Sequence, residues 1–117
     1  MTATLDSPSG DLIALSVTTT GPAVRVTTSG EIDSSSAPQL RAELDAVLEG
    51  GARELVVDLC DVTFLDSAGL CVLAAVHRRA TADGVRVRIL ASNRAVIRPL
   101  QITGLWDLLA VEQVGSR

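Results

Sequence analysis

The chain has 117 residues, of which 47% are hydrophobic and 2% aromatic, and its formal net charge is −4. This length and composition predict one globular domain that buries its core without disulfides or a metal, and they argue against nucleic-acid binding, which favours basic and aromatic surfaces. All 10 basic residues are arginine, which excludes a Walker phosphate loop and Schiff-base chemistry because both need lysine.

The chain carries no pattern typical of a membrane or secreted protein. No apolar run is long enough to span a membrane, and the N-terminus lacks the basic start and apolar core of a signal peptide. We therefore expect a cytoplasmic protein with no membrane partner. The two cysteines, Cys60 and Cys71, have neither metal-site spacing nor a C-x-x-C motif. We expect both to be small buried hydrophobic side chains, and we predict no metal and no cofactor.

The first predicted structure is a β-hairpin. Residues 1–11 are small, polar and interrupted by proline, which predicts a flexible lead-in before a domain over residues 12–114. Strands are predicted over residues 12–18 and 23–29, the second because apolar and polar residues alternate there. A Gly-Pro pair between them indicates the turn.

A first helix is predicted after the serine run at residues 34–36, which offers N-caps, with Pro38 tolerated in its first turn. The glycine pair at 50–51 should end it. The apolar residues at helical spacing form one stripe, namely Leu40, Leu44, Val47 and Leu48.

The middle of the chain is predicted to alternate between strand and helix. Residues 54–59 form a short apolar run, which is typical of a strand covered on both faces. A loop should follow, and then a largely buried helix over residues 67–80, which are apolar nearly all round. Residues 85–91 alternate apolar residues with arginine and predict another strand.

The last part of the chain is less regular. Ser92 and Asn93 are predicted to cap a third helix, which Pro99 should kink or shorten and which Thr103 and Gly104 should end. Residues 108–114 suit either a short strand or a helical turn. The order of all these elements predicts an α/β fold with a mixed sheet of four to five strands and helices packed mainly on one face.

The candidate functional residue is Ser67, which lies beside Asp66 between a buried strand and a helix. We expect its hydroxyl to be exposed and to cap the helix by accepting hydrogen bonds from backbone amides two or three residues on. Asp33 precedes the serine run, and on the sequence alone a purely structural role for it, as a turn or cap residue, is as well supported as a functional one.

Three segments of the chain carry a family resemblance. They are Gly30-Glu31-Ile32-Asp33 with Ser36-Ala37-Pro38, Asp58-Leu59 with Phe64-Leu65-Asp66-Ser67-Ala68-Gly69-Leu70, and Ile102-Thr103-Gly104-Leu105. In this order and spacing they resemble the STAS-domain proteins that act as anti-sigma factor antagonists, and the likeness covers residues 12–114. The resemblance implies a single STAS domain.

The resemblance also implies a mechanism. The serine matching Ser67 is phosphorylated in that family by a partner that is both a kinase and an anti-sigma factor. The unphosphorylated form binds this partner and releases the sigma factor, and a serine phosphatase resets the switch. The predicted partner-binding residues are Asp33, Asp66, Ser67, Ala68, Gly69 and Leu70, of which Ala68 and Gly69 are small enough to let a partner approach closely.

The sequence has two other interpretations, an enzyme and a different kind of STAS protein. An enzyme would need a base for Ser67, but the only histidine, His77, is ten residues further on and would lie about 15 Å away along one helix. The chain also lacks the G-x-S-x-G motif of a nucleophile elbow. We therefore predict no catalytic residues. The alternative within the fold is a STAS adaptor that is never phosphorylated, in a transporter or a larger signalling assembly.

Overall fold

The computed structural model of the protein describes residues 13–115, so the predicted lead-in over residues 1–11 and residue 12 lie outside the described residues. The elements in chain order are β1 (Ile13–Thr20), β2 (Ala23–Ile32), α1 (Ala37–Glu49), β3 (Glu54–Leu65), α2 (Ser67–Ala82), β4 (Arg86–Ala91), α3 (Arg94–Ile102), α4 (Leu105–Leu108) and β5 (Glu112–Gln113).

The strands form one five-stranded sheet in the order β1-β2-β3-β4-β5. β1 and β2 pair as an antiparallel hairpin, and every later neighbour pairs in parallel. Parallel neighbours need crossover connections, which α1, α2 and the α3–α4 segment supply. The predicted mixed sheet is therefore confirmed, with five strands.

The helices lie on one face of this sheet. Their buried side chains join those of the strands in a single core, to which β3 contributes Leu55, Val57 and Leu59. The alternate residues of β3 point to the other face, where Val56 and Cys60 pack with Leu90 in a small cluster. This arrangement confirms the prediction that the helices pack mainly on one face.

Strand β3 is six residues longer than the predicted one, because it runs on from Leu59 to Leu65. Its pairing with β2 shifts twice, between Thr27 and Ser29 and between Gly30 and Glu31. Such bulges break the alternation of buried and exposed residues on which a strand prediction depends. The core-facing residues of β3 accordingly change from every second to every third position at its end, namely Leu55, Val57, Leu59, Val62 and Leu65.

The first bulge contains a buried carboxylate. The Asp58 side chain is 1% exposed and lies 2.6 Å from Nη2 of Arg25 on β2. Its other oxygen accepts a hydrogen bond from the backbone amide of Cys60 at 2.9 Å. Asp58 therefore fixes the irregular part of β3 that leads to the Ser67 region.

Three further predictions were tested by the fold. Cys60 is buried as predicted, but Cys71 is exposed because it lies on the outer face of α2. Pro99 lies inside α3, which continues to Ile102, so the proline does not end the helix. The last segment contains both of the predicted alternatives, a helical turn (α4) followed by a short strand (β5).

Candidate functional site

The candidate site lies where β2 and β3 end side by side. Ile32 and Leu65 are paired across these two parallel strands, and the backbone amide of Asp66 donates to the carbonyl of Ile32 at 3.1 Å. Asp33 and Asp66 are the next residues of the two chain segments. The carboxyl ends of neighbouring parallel strands thus bring together residues that are 33 positions apart in sequence.

The N-cap of α2 is Asp66, not Ser67. Asp66 has extended backbone angles, and its Oδ1 accepts hydrogen bonds from the amides of Ala68 at 2.9 Å and Gly69 at 3.3 Å. The prediction that Ser67 caps the helix is therefore wrong. Aspartate and serine are both strong N-cap formers, and the carboxylate in this pair also gains from the positive end of the helix dipole.

Ser67 is instead the first residue of α2, and its side chain is exposed. Among residues 13–115 its hydroxyl has no hydrogen-bond partner. The predicted exposure is therefore confirmed. A group added to this oxygen would extend into solvent and would leave the cap hydrogen bonds of Asp66 in place.

Gly69 and Leu70 face the core, not the surface. A β-carbon on Gly69 would lie 2.7 Å from Cγ2 of Ile32 and closer still to Cδ1 of Leu65. Leu70 is only 8% exposed. In this structure the missing side chain of Gly69 lets α2 approach the strand ends. That Gly69 and Leu70 contact a partner stays a prediction. Ala68 is half-buried.

Asp33 holds the turn that leads into α1. Its Oδ1 accepts hydrogen bonds from the hydroxyl of Ser35 at 2.7 Å and from the amides of Ser35 at 2.9 Å and Ser36 at 3.2 Å. The hydroxyl and amide of Ser35 hold the pKa of the Asp33 carboxyl below its ordinary value of 3.8. The structural role that the sequence suggested for Asp33 is therefore present, as a turn residue.

Ser36 supports the same turn. It occupies the N-cap position of α1 but makes no side-chain cap hydrogen bond. Its hydroxyl donates to the carbonyl of Glu31 at 2.8 Å and accepts from the amide of Asp33 at 3.0 Å. The Ser36 hydroxyl therefore stabilises the turn that precedes α1, not the helix itself, and it holds the backbone of Asp33 in position.

Phe64 is a surface residue that the sequence did not single out. It pairs laterally with Glu31, and its side chain is 46% exposed. Its neighbour Leu65 points into the core, so Phe64 points to the opposite face of the sheet. A large apolar side chain exposed two residues before Asp66 suits a contact with another protein. Phe64 is one of only two aromatic residues in the sequence, and this rarity is the signal that could have identified it as a candidate contact residue.

The described residues contain no cluster of three or more histidine, cysteine or acidic side chains that could hold a metal ion. Ser67 and His77 both lie on α2, ten positions apart, which is about 15 Å along the helix axis. This separation prevents them from forming a nucleophile–base pair. Within residues 13–115, no helix has the length and apolar character needed to cross a bilayer.

Comparisons with known proteins agree on one family. The family model described as "Mlab, STAS domain" matches residues 15–110. The anti-sigma-B factor antagonist of Bacillus subtilis strain 168 is 35% identical over 88 residues, which is 75% of this chain and 80% of that protein.

Solved structures give the same result. An anti-sigma factor antagonist from Mycobacterium paratuberculosis matches with a TM-score of 0.81 and 33% identity, covering 92% of this chain and 90% of that one. The anti-sigma factor antagonist SpoIIAA in its unphosphorylated form matches with a TM-score of 0.74 and 21% identity over 86% of this chain and 88% of its own. Its phosphorylated form matches with a TM-score of 0.68 at the same identity, over 86% and 91%. Both forms of SpoIIAA share the fold.

Proposed function

The chain belongs to the STAS domain family, and from that premise we propose that it is an anti-sigma factor antagonist controlled by phosphorylation of Ser67. The unphosphorylated form binds an anti-sigma factor and so releases the sigma factor. The partner is of the kinase type and phosphorylates Ser67, which ends the interaction, and a serine phosphatase restores it. These events take place in the cytoplasm, where sigma factors act.

The observation that carries this proposal is the position of the Ser67 hydroxyl. It is exposed on the first residue of α2, and Asp66 supplies the helix cap. A kinase can therefore reach the oxygen without opening the core, and phosphorylation removes no structural hydrogen bond of Ser67.

The charges near Ser67 explain how a phosphate would act. A phosphoserine carries about −1.5 to −2 charges near neutral pH. The N-terminus of α2 stabilises an anion by roughly 0.3–1 kcal/mol, whereas the neighbouring Asp66 carboxylate repels it. The domain should therefore keep its fold. A partner surface that fits closely over the neutral hydroxyl would instead meet a bulky dianion, so the effect is local repulsion and steric exclusion.

The partner surface follows from which side chains are exposed. It contains Ser67, the half-buried Ala68 and Asp66, and the rigid turn at Asp33. Phe64 extends it on the side away from the helices. Asp33 and Asp66 hold their positions through hydrogen bonds to backbone amides, so the surface is ordered before the partner arrives.

The test is a phosphorylation assay with purified kinase-type anti-sigma factors from the same organism. Each is incubated with this protein and ATP, and the modified residue is mapped by mass spectrometry. We expect one phosphate, on Ser67, and none on Ser67→Ala. Ser34→Ala is the matched control, since Ser34 is an exposed serine at the neighbouring turn and its loss should change nothing. Unmodified Ser67 with every such kinase would support the adaptor role instead.

A further inference from the structure

Within residues 13–115, β1 is an edge strand whose outer side pairs with no other strand. Natural proteins guard edge strands with charged residues, proline, bulges or very short strands, because unpaired backbone groups invite another strand. β1 has none of these features. Its eight residues, Ile-Ala-Leu-Ser-Val-Thr-Thr-Thr, carry no charge and no proline, and they pair with β2 in unbroken register from Ile13 to Thr20.

The opposite edge of the same sheet follows the usual rule. β5 has only two residues. One of them, Glu112, forms a bidentate ion pair with Arg88, with nitrogen–oxygen distances of 2.9 and 3.1 Å. A charged and very short strand is a poor template for pairing. The two edges of the described sheet therefore differ, and β1, not β5, is the edge that could pair with another strand.

β1 also leaves apolar surface uncovered beside that edge. Val17 is 44% exposed, although it lies directly opposite the fully buried Val26 and therefore on the helix face of the sheet. Beside it is an open depression of about 300 Å³ whose lining includes Val17, Val24 and Val47. The helix layer thus stops short of the sheet edge. A further strand next to β1 would cover this surface.

We infer that the occupant of this edge is β1 of a second copy of the chain, which pairs in antiparallel fashion to give a sheet of ten strands. An uncharged strand suits self-pairing. In a symmetric pair two identical strands lie side by side, so a charged residue would face a like charge, and β1 has no charged residue. Centring the pair on Val17 places Val17 opposite itself and Leu15 opposite Thr19. Val17 then loses much of its exposure in both copies.

This dimer leaves both Ser67 sites open. The Ile13 end of β1 pairs with Gly30, near the strand ends that carry Asp33 and Asp66. In an antiparallel pair the two Ile13 ends point in opposite directions, so the two sites lie at opposite ends of the shared sheet. The dimer does not depend on phosphorylation, and its test is separate from that of the proposed function.

The first test is the mass of the full chain in solution, measured by sedimentation equilibrium over a wide concentration range. We expect twice the 12.2 kDa of the single chain. Val17→Lys places two like charges opposite each other and should weaken the dimer by about tenfold. Leu108→Lys is the matched control, because Leu108 is 67% exposed on α4 and lies away from β1, and it should leave the dimer unchanged.

Hydrogen exchange of the β1 amides gives the second readout. In the dimer every second amide of β1, the set that points away from β2, exchanges more slowly as the protein concentration rises, and Val17→Lys abolishes this change. A monomer at all concentrations overturns the inference. If the β1 edge is protected in that monomer, then residues 1–12 or another part of the same chain covers it; if it exchanges freely, then the edge is open.

Discussion

Asp66 caps the helix on which Ser67 is the first residue, so the cap and the exposed hydroxyl belong to different side chains. Asp66 Oδ1 accepts hydrogen bonds from the amides of Ala68 and Gly69, whereas the hydroxyl of Ser67 is exposed. The consequence is that the site can be modified without loss of the cap. Most of the predictions below follow from this division.

Replacing the cap should destabilise the protein, and replacing the serine should not. Asp66→Ala removes two hydrogen bonds at the start of α2 and should lower the free energy of unfolding by about 1 kcal/mol. Ser67→Ala removes an exposed hydroxyl and should change it by less than about 0.5 kcal/mol. Urea denaturation measures both, and Asp66→Asn, which keeps a capping oxygen, is the control. Equal losses for Asp66→Ala and Ser67→Ala would refute the assignment of the cap.

Gly69 should not tolerate a larger side chain. An alanine β-carbon there would be only 2.7 Å from Ile32 Cγ2, so the start of α2 must move away from the strand ends. We expect Gly69→Ala to destabilise the protein by about 1–3 kcal/mol, which exceeds the gain in helix propensity. Gly50→Ala is the control because its β-carbon would make only ordinary contacts of 3.4 Å or more. Unchanged stability in Gly69→Ala would show that the helix is not closely packed there.

Phe64 should contribute to binding and not to folding. It is 46% exposed beside the site, and an aromatic side chain of this kind is often an interface hot spot. Phe64→Ala should weaken binding of the anti-sigma factor by about 30-fold, or roughly 2 kcal/mol, with the melting temperature nearly unchanged. The control is Val17→Ala, which changes an exposed apolar residue on β1, two strands away from β3, and should bind the anti-sigma factor normally. Normal binding by Phe64→Ala would place the partner surface on the helix side alone.

The turn at Asp33 should make stability sensitive to acid. Hydrogen bonds from Ser35 lower the pKa of Asp33 from its ordinary 3.8. A lowered pKa means that the stabilisation is fully present above the unfolded-state value and is lost as the pH falls through the folded-state value. The difference in unfolding free energy between the natural protein and Asp33→Asn should therefore be largest above about pH 4 and vanish in stronger acid.

Ser35→Ala gives a second check on the same turn. It removes the hydroxyl donor, which is the largest cause of the lowered pKa, and should reduce the acid-dependent loss of stability without abolishing it. A pH profile of Ser35→Ala that matches the natural protein would show that this hydroxyl does not stabilise the ionised Asp33.

The sequence predicted the elements in which a periodic pattern is unbroken. The stripe at Leu40, Leu44 and Leu48 identified α1, and the alternation of residues 85–91 identified β4. The predicted β3 was too short, because bulges shift the core-facing residues beyond Leu59 to every third position. A bulge is set by contacts with the neighbouring strand, which a local pattern does not contain.

The site was predicted in its position but not in its details. The Asp-Ser pair at 66–67 indicated a helix start, yet either side chain suits the cap, and only the backbone shows that Asp66 holds it. The role of Gly69 depends on Ile32, which is 37 positions earlier in the chain. Cys71 was predicted to be buried because a cysteine without metal-site or C-x-x-C spacing usually behaves as a small buried hydrophobic side chain, whereas one face of α2 is in contact with solvent.

The most direct measurement of the central claim is a calorimetric titration of the kinase-type anti-sigma factor into two forms of this protein, unmodified and phosphorylated on Ser67. Repulsion and exclusion worth about 3–4 kcal/mol would weaken the phosphorylated form's affinity by several hundredfold, and backbone amide shifts of the free protein should change only near the start of α2. Equal affinity of the two forms would contradict the account.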